Sequence, residues 1–467
     1  MGMRLASIFV SFALAAVLSA TGCNKPPAAP AAPVGPDSGR ANSAYSFSAV
    51  TTDPEAESVA YQFDWGDNRY SAWTSYAASG APGSLAVSWR KGGVFAVRAR
   101  ARDQGERESD WSAAHEFRVA GDGTIRWDVS LGGNAAGAPV AVGDNIVFPV
   151  AGGMLVCLDT SGEDAWSVTL PDEINGTPAA DSSGRVFVTC ANARVYAYDA
   201  DGAKAWERLV GFGCFAPAIG PDGRVYTGAT DGRLYALDPA DGRILGFYQA
   251  GDDIRAPCVA RPDGVIIFGC DDGGLYAVNP DFSLRWRYTL GGNVRQSPAL
   301  GEEGRVYIGS DDNRLYAIDS AGGLLWTYET EADVKGEPAV GPGGEVWFGS
   351  DDNRLYRLDR DGALVRSFTC SGFVRACPSL AANGRAYLGS YDGMLYALDD
   401  TSAVLWEVEG DGAVLFSPLL APDGSVYFMA GGTAYGCGGQ GGLADSPWPT
   451  GRHDARRSGR LSSFQWR

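Results

Sequence analysis

Most of the chain repeats one pattern of short apolar runs separated by polar turns. The runs have the length of β-strands, and the turns between them are rich in Asp, Asn and Gly. A proline marks each repeat, at intervals of 39 to 41 residues. These prolines are Pro139, Pro178, Pro217, Pro257, Pro298, Pro338, Pro378 and Pro418. The period predicts eight units of four short strands each.

Each unit carries aromatic residues at fixed places. The clearest copy spans residues 305–319, and residues 346–359 nearly repeat it. One strand holds a tyrosine: Tyr196, Tyr235, Tyr276, Tyr316, Tyr356, Tyr396 or Tyr435. The outer strand holds Trp166, Trp206, Trp286, Trp326 or Trp406. Phe247 and Phe368 are predicted to replace this tryptophan in two units. Such units cannot bury both faces alone, but as the blades of a propeller each one covers the next.

The array is predicted to close into a ring through its first strand. Trp127 precedes Pro139 by 12 residues, the interval that also separates Trp166, Trp286, Trp326 and Trp406 from the next proline. Residues 124–131 are therefore predicted to form an outer strand without a unit of its own, whereas the last unit, after Cys437, lacks one. Trp448 competes for this place, but it lies between two prolines, which cannot donate to a strand ladder.

The residues before the array divide into three segments. Residues 1–23 combine Arg4 with an apolar stretch too short for a comfortable membrane span, which predicts an export signal. Residues 24–38 are rich in Pro and Ala and form a semi-rigid linker. Short alternating strands in residues 39–120 predict an antiparallel sandwich, and residues 121–467 comprise the propeller and a closing tail.

Composition excludes several functions. The formal net charge of −18 disfavours nucleic-acid binding, which needs a basic surface to neutralise phosphate. The chain has two histidines, His115 and His453, in different modules, so a zinc site built on several imidazoles is not expected. Eight cysteines follow Cys23 in a chain predicted to be exported. Cys370 and Cys377 are the preferred disulfide pair, and small buried thiols are the alternative.

Two segments near the N-terminus resemble known families. Residues 61–67, which end in Asp-Trp-Gly-Asp, and residues 93–103 resemble a polycystic-kidney-disease-type (PKD) domain, which implies an immunoglobulin-like spacer. Its carboxylates mainly cap turns, with calcium binding by Asp53, Glu55 and Asp67 as the alternative.

Residues 20–23, Ala-Thr-Gly-Cys, resemble a bacterial lipobox, which implies lipidation of Cys23. Asn24 is not the aspartate linked to inner-membrane retention, so the resemblance implies the outer membrane. Ordinary signal-peptidase cleavage is the alternative.

The register of Ala317, Asp319, Gly322 and Trp326 resembles the quinoprotein-type family of eight-bladed propellers with PQQ-like repeats. The resemblance covers most of the array and implies an all-β fold. In that family such tryptophans dock neighbouring blades. It therefore implies an architectural role for Trp127, Trp166, Trp206, Trp286, Trp326 and Trp406.

Two branches of this family lead to different functions. The dehydrogenase branch binds pyrroloquinoline quinone (PQQ) with calcium, on long inserted loops and, for alcohols, an adjacent Cys-Cys disulfide. This sequence has neither. It is more similar to the non-enzymatic branch, which includes the propeller lipoprotein of the outer-membrane barrel-assembly machinery. We therefore expect a monomeric, lipid-anchored envelope scaffold that binds a protein or polymer, without a cofactor, with a PQQ-dependent alcohol or sugar dehydrogenase as the alternative.

Four cations just before the innermost strands of consecutive units predict a charged arc at the mouth of the central channel. They are Arg255, Arg295, Lys335 and Arg375. A concave arc of like charge attracts anions, which predicts docking of an acidic partner segment. The alternative is local neutralisation by the turns Asp271-Asp272, Asp311-Asp312 and Asp351-Asp352.

The tail from Trp448 to Arg460 resembles a Trp-Pro-x-x-x-His-Asp motif at the end of related secreted propellers. It is expected to pack across the closing blade, and a catalytic His453-Asp454 pair is the alternative.

Overall fold

The computed structural model describes residues 25–40, 43–119, 121–446, 449–452 and 454. In these residues the regular structure is β-strand apart from one 3₁₀ turn, Glu302–Gly304, so the predicted all-β class is confirmed. The chain divides into two compact units, and the described residues from 118 onward belong to the second. Within the described ranges, no helix is long and apolar enough to span a bilayer.

The N-terminal part contains two small sheets around buried aromatic side chains. The four-stranded sheet has the order Ser38–Gly39, His115–Val119, Gly93–Arg102, Ala60–Asp64, and the second sheet pairs Tyr45–Ala49 with Gly83–Val87. Phe63 is buried and its ring stacks on Trp65 at a centroid distance of 5.1 Å. Asp53 caps a turn, because its Oδ1 accepts the backbone N–H groups of Glu55 and Glu57.

The second unit contains eight four-stranded antiparallel sheets, numbered here 1 to 8. Sheets 1 and 2 comprise Val140–Val142, Asn145–Val150, Met154–Leu158 and Asp164–Thr169, then Ala179–Ala180, Val186–Cys190, Arg194–Tyr198 and Lys204–Leu209. Sheets 3 and 4 comprise Ala218–Ile219, Val225–Gly228, Arg233–Leu237 and Ile244–Gln249, then Val259–Ala260, Ile266–Gly269, Gly274–Val278 and Leu284–Thr289. Sheets 5 and 6 comprise Ala299–Leu300, Val306–Ser310, Arg314–Ile318 and Leu324–Glu329, then Ala339–Val340, Val346–Gly349, Arg354–Leu358 and Leu364–Thr369. Sheets 7 and 8 comprise Ser379–Leu380, Ala386–Gly389, Met394–Leu398 and Val404–Glu409, then Leu419–Leu420, Val426–Ala430, Thr433–Cys437 and Ile125–Ser130.

Burial along the strands explains this arrangement. The second strand of sheet 5, Val306–Ser310, is buried throughout, whereas the fourth, Leu324–Glu329, alternates between exposed and half-buried residues. A strand that is buried on both faces needs a packed layer on each side. Ile308 of sheet 5 and Phe348 of sheet 6 accordingly share one apolar cluster. First strands of consecutive sheets touch, as in sheets 1 to 4, which places them nearest the centre of a β-propeller.

The ring closes between the last sheet and the first. Ile125–Ser130 pairs antiparallel with Thr433–Cys437, so the first strand of the unit completes sheet 8. Ile146 of sheet 1 and Tyr427 of sheet 8 then lie in one apolar cluster. The N-terminal end of the array therefore supplies the outer strand that its C-terminal end lacks.

The strand register corrects the expected substitutes for tryptophan. In the other six sheets the tryptophan lies opposite a fixed position of the third strand. At that position of the outer strand, sheet 3 has Gly246 and sheet 6 has Arg366. Phe247 and Phe368 lie further along their strands, so their assignment was wrong. Ladder pairing decides the register, and one residue of displacement turns a side chain to the other face.

The eight cysteines among the described residues are buried free thiols, which corrects the predicted Cys370–Cys377 disulfide. The segment between them runs from the outermost strand of sheet 6 to the innermost strand of sheet 7. Such a connection crosses several strand spacings of about 4.8 Å, whereas disulfide Cα atoms lie about 6 Å apart. Burial raises the pKa of the Cys370 thiol to about 12, consistent with an apolar packing role.

Candidate functional site at the channel mouth

Outer-strand tryptophans join six of the eight sheets to the next sheet around the ring. The indole Nε1 donates to a backbone carbonyl in the turn between the third and fourth strands of the next sheet, at 2.9–3.1 Å. These donors are Trp127, Trp166, Trp206, Trp286 and Trp326, and the acceptors belong to Thr160, Ala200, Pro239, Ser320 and Arg360. The indole also covers a glycine of that turn, and Trp406 covers Gly123 in the same way. The tryptophans therefore hold the ring together.

The two sheets without an outer-strand tryptophan, sheets 3 and 6, contact their neighbours differently. Beside Gly246 of sheet 3, the ring of Phe282 from sheet 4 fills the space that a Cβ would need. In sheet 6, Arg357 Nη1 donates to the carbonyl of Asp400 in sheet 7 at 2.7 Å. Phe282 and Ser402 occupy the turn position that is glycine elsewhere, with φ of 64° and 63°. No tryptophan covers these two turns in the described structure, which explains why a Cβ is tolerated there.

In sheets 4, 5 and 6 the two aspartates of each turn have different partners. The second aspartate accepts a hydrogen bond from the hydroxyl of the tyrosine four residues later. These pairs are Asp272 with Tyr276, Asp312 with Tyr316, and Asp352 with Tyr356. Burial and this bond raise the pKa of Tyr356 to about 12. The second aspartate of each turn therefore stabilises its own sheet, whereas the first aspartate is available to form ion pairs at the channel mouth.

The four predicted cations are ion-paired around two of these first aspartates. Asp271 contacts Arg255 at 3.0 Å and Arg295 at 2.9 and 3.0 Å. Asp351 contacts Arg375 at 2.7 and 2.8 Å and Lys335 at 3.6 Å. The mouth therefore alternates in charge rather than presenting a row of unpaired cations. Neighbouring sheets share each aspartate, so the pairs also connect sheets.

Asp311 occupies the corresponding place between these two clusters. Its Oδ1 is buried and has no hydrogen-bond partner within the part of the chain that the structure describes. Burial raises the pKa of Asp311, with opposing contributions from Lys335, which lowers it, and Asp333, which raises it. Keeping the carboxylate of Asp311 ionised in this position therefore costs folding free energy.

Arg375 is held on several sides. Its Nε and Nη2 bind the two carboxylate oxygens of Asp351, and these bonds raise its pKa. Its guanidinium carbon lies 5.2 Å from the ring centre of Phe373 and 5.1 Å from that of Tyr391. The two rings lie side by side, 5.8 Å apart, and a cation close to aromatic rings is attracted to them. The sequence indicated the charge at this position but not the two rings that orient it.

A cavity of about 250 Å³ lies beside Arg375. Lys335, Tyr391 and Ser417 line it on the side of sheets 6 to 8, and Thr177 lines it from the segment before sheet 2. Arg452 of the C-terminal tail also contributes to its wall. The cavity therefore extends across the centre of the ring.

Residues 449–452 of the C-terminal tail lie at the centre of the ring, whereas the expected packing of the tail across the closing sheet falls largely on residues outside the described ranges. The innermost strand of sheet 7 is bonded to the tail, because Ala444 donates to the carbonyl of Leu380 and Leu380 donates to that of Pro449, at 2.8 and 2.7 Å. Arg452 is 2 % exposed and its Nη1 donates to the carbonyl of Thr177 at 2.9 Å. The tail thus links sheet 7 to the segment before sheet 2. Cys23, Trp448 and His453 lie outside the described residues.

The residues at the mouth do not fit calcium-clamped PQQ. Among the described residues, no group of three or more His, Cys, Asp and Glu side chains is arranged to hold a metal ion. Asp271 and Asp351 already each bind two cations, so their charge is locally compensated. Calcium prefers several carboxylate and carbonyl oxygens that are free to converge on it.

Comparison with known proteins identifies the family. The PQQ_2 family model, described as outer membrane protein assembly factor BamB, matches residues 118–253, 249–334, 271–365 and 320–444, more than half of the chain. The chain belongs to this family. No curated protein sequence matches it significantly.

Solved structures share the fold at low sequence identity. BamB from Moraxella catarrhalis has a TM-score of 0.58 at 17 % identity, over 68 % of this chain and 99 % of that one. The computationally designed Ika8 protein has a TM-score of 0.57 at 17 % identity, over 66 % and 98 %. A europium-containing methanol dehydrogenase has a TM-score of 0.55 at 16 % identity, over 66 % and 85 %. An assembly factor, a designed protein and an enzyme are all similar, so this likeness shows the propeller fold alone.

Proposed function

We propose that this chain is an exported, lipid-anchored and non-enzymatic propeller of eight blades that binds other proteins or surface components at the cell envelope. Lipid on Cys23 anchors it in the outer membrane, and residues 24–38 act as a tether. The N-terminal unit serves as a PKD-type, immunoglobulin-like spacer. The protein works as a monomer and needs no cofactor.

The family match over the whole propeller carries this proposal. The family description is that of an outer membrane protein assembly factor, which agrees with a role in binding other proteins. The compactness of the repeats supports the same role, because short turns connect the four strands of each sheet and no long loop surrounds the channel in the described array. The centre of the ring holds ion pairs and the protein's own tail.

The channel mouth is the proposed docking surface for an acidic partner segment. Its cations are between one third and one half exposed despite their ion pairs, with values of 42 % for Arg255, 47 % for Arg295, 31 % for Lys335 and 33 % for Arg375. Rim charges of this kind mainly set association rate and salt dependence.

Affinity capture from the protein's own membranes tests the proposal. Wild type is compared with Cys23→Ala and with the double variant Arg375→Gln/Asp351→Asn, which removes one ion pair without leaving an unpaired charge. We expect Cys23→Ala to lose palmitate labelling and membrane association, and the double variant to lose capture relative to wild type most strongly at low salt, where exposed charges are least screened. Unchanged labelling would refute the anchor, and unchanged capture would remove the mouth from the function.

The alternative function is that of a PQQ-dependent dehydrogenase, because a methanol dehydrogenase has the same propeller fold. Purified protein is incubated with PQQ and calcium. We expect no thermal shift and no dye-linked oxidation of alcohols or sugars. Robust turnover would overturn the scaffold proposal.

A further inference from the structure

We infer that the cavity beside Arg375 binds a carboxylate group. The inference rests on the proposed role of the mouth in docking acidic partners, and it specifies the residues and the chemistry of the contact. The cavity of about 250 Å³ has room for an acidic side chain or a small dicarboxylate. It is smaller than typical cofactor pockets, which hold roughly 300–1,000 Å³.

The donors of Arg375 supply the first part of the evidence. A guanidinium has five N–H groups arranged along its edges, and each edge can bind a carboxylate through two bonds. Asp351 uses the edge formed by Nε and Nη2. Nη1 makes only a 3.3 Å contact with the hydroxyl of Tyr391, which also lines the cavity. The edge formed by Nη1 and Nη2 can therefore donate hydrogen bonds to a second carboxylate.

The surroundings keep this donor edge in place before any ligand arrives. Asp351 holds one side of the guanidinium, and the rings of Phe373 and Tyr391 lie against it. A group that is already oriented loses little conformational entropy on binding, which favours affinity.

The donors of the wall favour an anion. Lys335, Arg375 and Arg452 line the cavity together with one carboxylate, that of Glu337. Asp333 and Asp351 compensate the charges of Lys335 and Arg375, but neither aspartate lines the cavity. Lys335 contacts Asp333 at 2.6 Å and Asp351 at 3.6 Å, and an ammonium has three donors, so one can serve a ligand. A dicarboxylate or a glutamate side chain would thus meet Arg375 and Lys335 together.

Arg285 provides a control outside the channel mouth. It forms an ion pair with Asp263 at 3.1 Å, and its side chain is 41 % exposed. It belongs neither to the four cations of the mouth nor to the residues that line the cavity. A variant of Arg285 therefore removes a charge and an ion pair but leaves the proposed site and the proposed docking surface intact.

Titration calorimetry on the full chain, with succinate and a tetraglutamate peptide as probes, tests the inference at low salt. We expect wild type and Arg285→Gln to bind alike, and Arg375→Gln to bind at least about tenfold more weakly, as expected for loss of a charge-assisted bidentate contact. Arg375→Lys, which keeps the charge but not the edge, should also bind weakly. Circular dichroism checks that each variant is folded.

The two probes distinguish the sources of the carboxylate. Tighter binding of the peptide indicates an acidic segment of a partner, and tighter binding of succinate indicates a free dicarboxylate. Equal binding by wild type and Arg375→Gln, equal losses in the Arg285 and Arg375 variants, or no binding of either probe at millimolar concentration would overturn the inference. Partner capture that the Arg375→Gln/Asp351→Asn variant leaves unchanged, together with the expected probe binding, would instead count against the proposed function alone.

Discussion

Replacing Gly322 with alanine tests the contact that joins neighbouring sheets. Gly322 has φ of +90°, and a Cβ there would lie 2.8 Å from Cγ and 2.9 Å from Cδ2 of Trp286. The left-handed backbone costs alanine about 1–2 kcal/mol, partly offset by about 0.4–1 kcal/mol from the less flexible unfolded chain. The indole cannot withdraw without weakening its 3.1 Å bond to the Ser320 carbonyl. Overpacking then adds about 1–3 kcal/mol.

We therefore expect Gly322→Ala to lower the free energy of unfolding by about 2–4 kcal/mol. Gly223→Ala is the control, because Gly223 has a similar φ of +83° and nothing lies within 4 Å of its would-be Cβ. Its loss should be about 1 kcal/mol or less, from the backbone alone. The difference between the two variants isolates the tryptophan contact.

Urea unfolding followed by circular dichroism measures both variants. A ring of repeats can also open in parts, so hydrogen exchange of the Trp286 strand and the turn after Asp319 is measured in parallel. We expect faster exchange in these two segments for Gly322→Ala only. Equal midpoints and equal exchange in the two variants would show that the indole does not stabilise the junction between the sheets.

Three further predictions concern other parts of the ring. Deletion of residues 121–132 should remove the outer strand of sheet 8 and abolish a cooperative thermal transition, and a melt like that of the parent would refute closure by this strand. Arg357→Leu should cost about 1.5–3 kcal/mol by removing the bond to the Asp400 carbonyl, whereas the exposed Arg366→Leu should stay near neutral in the same urea titration. Asp311→Asn should stabilise the protein at pH 7, because burial raises the pKa of Asp311 in the folded state and ionisation above that pKa opposes folding. The gain should vanish below the unfolded pKa of about 3.8, and a gain independent of pH would contradict the reasoning.

The repeat architecture could be predicted from the sequence because its causes are local. Alternating apolar residues favour strands, and Asp-Gly turns need only a few neighbouring residues. The tryptophan spacing likewise indicated that residues 124–131 form an outer strand that has no unit of its own and completes another sheet. The same local signals showed that the turn aspartates and the four cations would meet at one end of the sheets.

Other features depended on register and on contacts between distant residues. Phe247 and Phe368 were predicted to replace the outer-strand tryptophan because they are aromatic. Ladder pairing puts Gly246 and Arg366 at that position instead. A signal for this exception was present, since Ser402 replaces glycine in the turn that lacks a covering indole. Its meaning becomes visible only when the sheets are packed against each other.

The channel mouth shows the same division. The sequence alone determined that Arg375 and Asp351 belong to one end of the array. The tertiary structure decided that Asp351 is shared with Lys335, that Asp311 is left without an ion pair among the described residues, and that the tail enters the ring. Strand and turn signals act over a few residues, whereas ion pairs and cavities depend on distances across sheets that folding alone brings together.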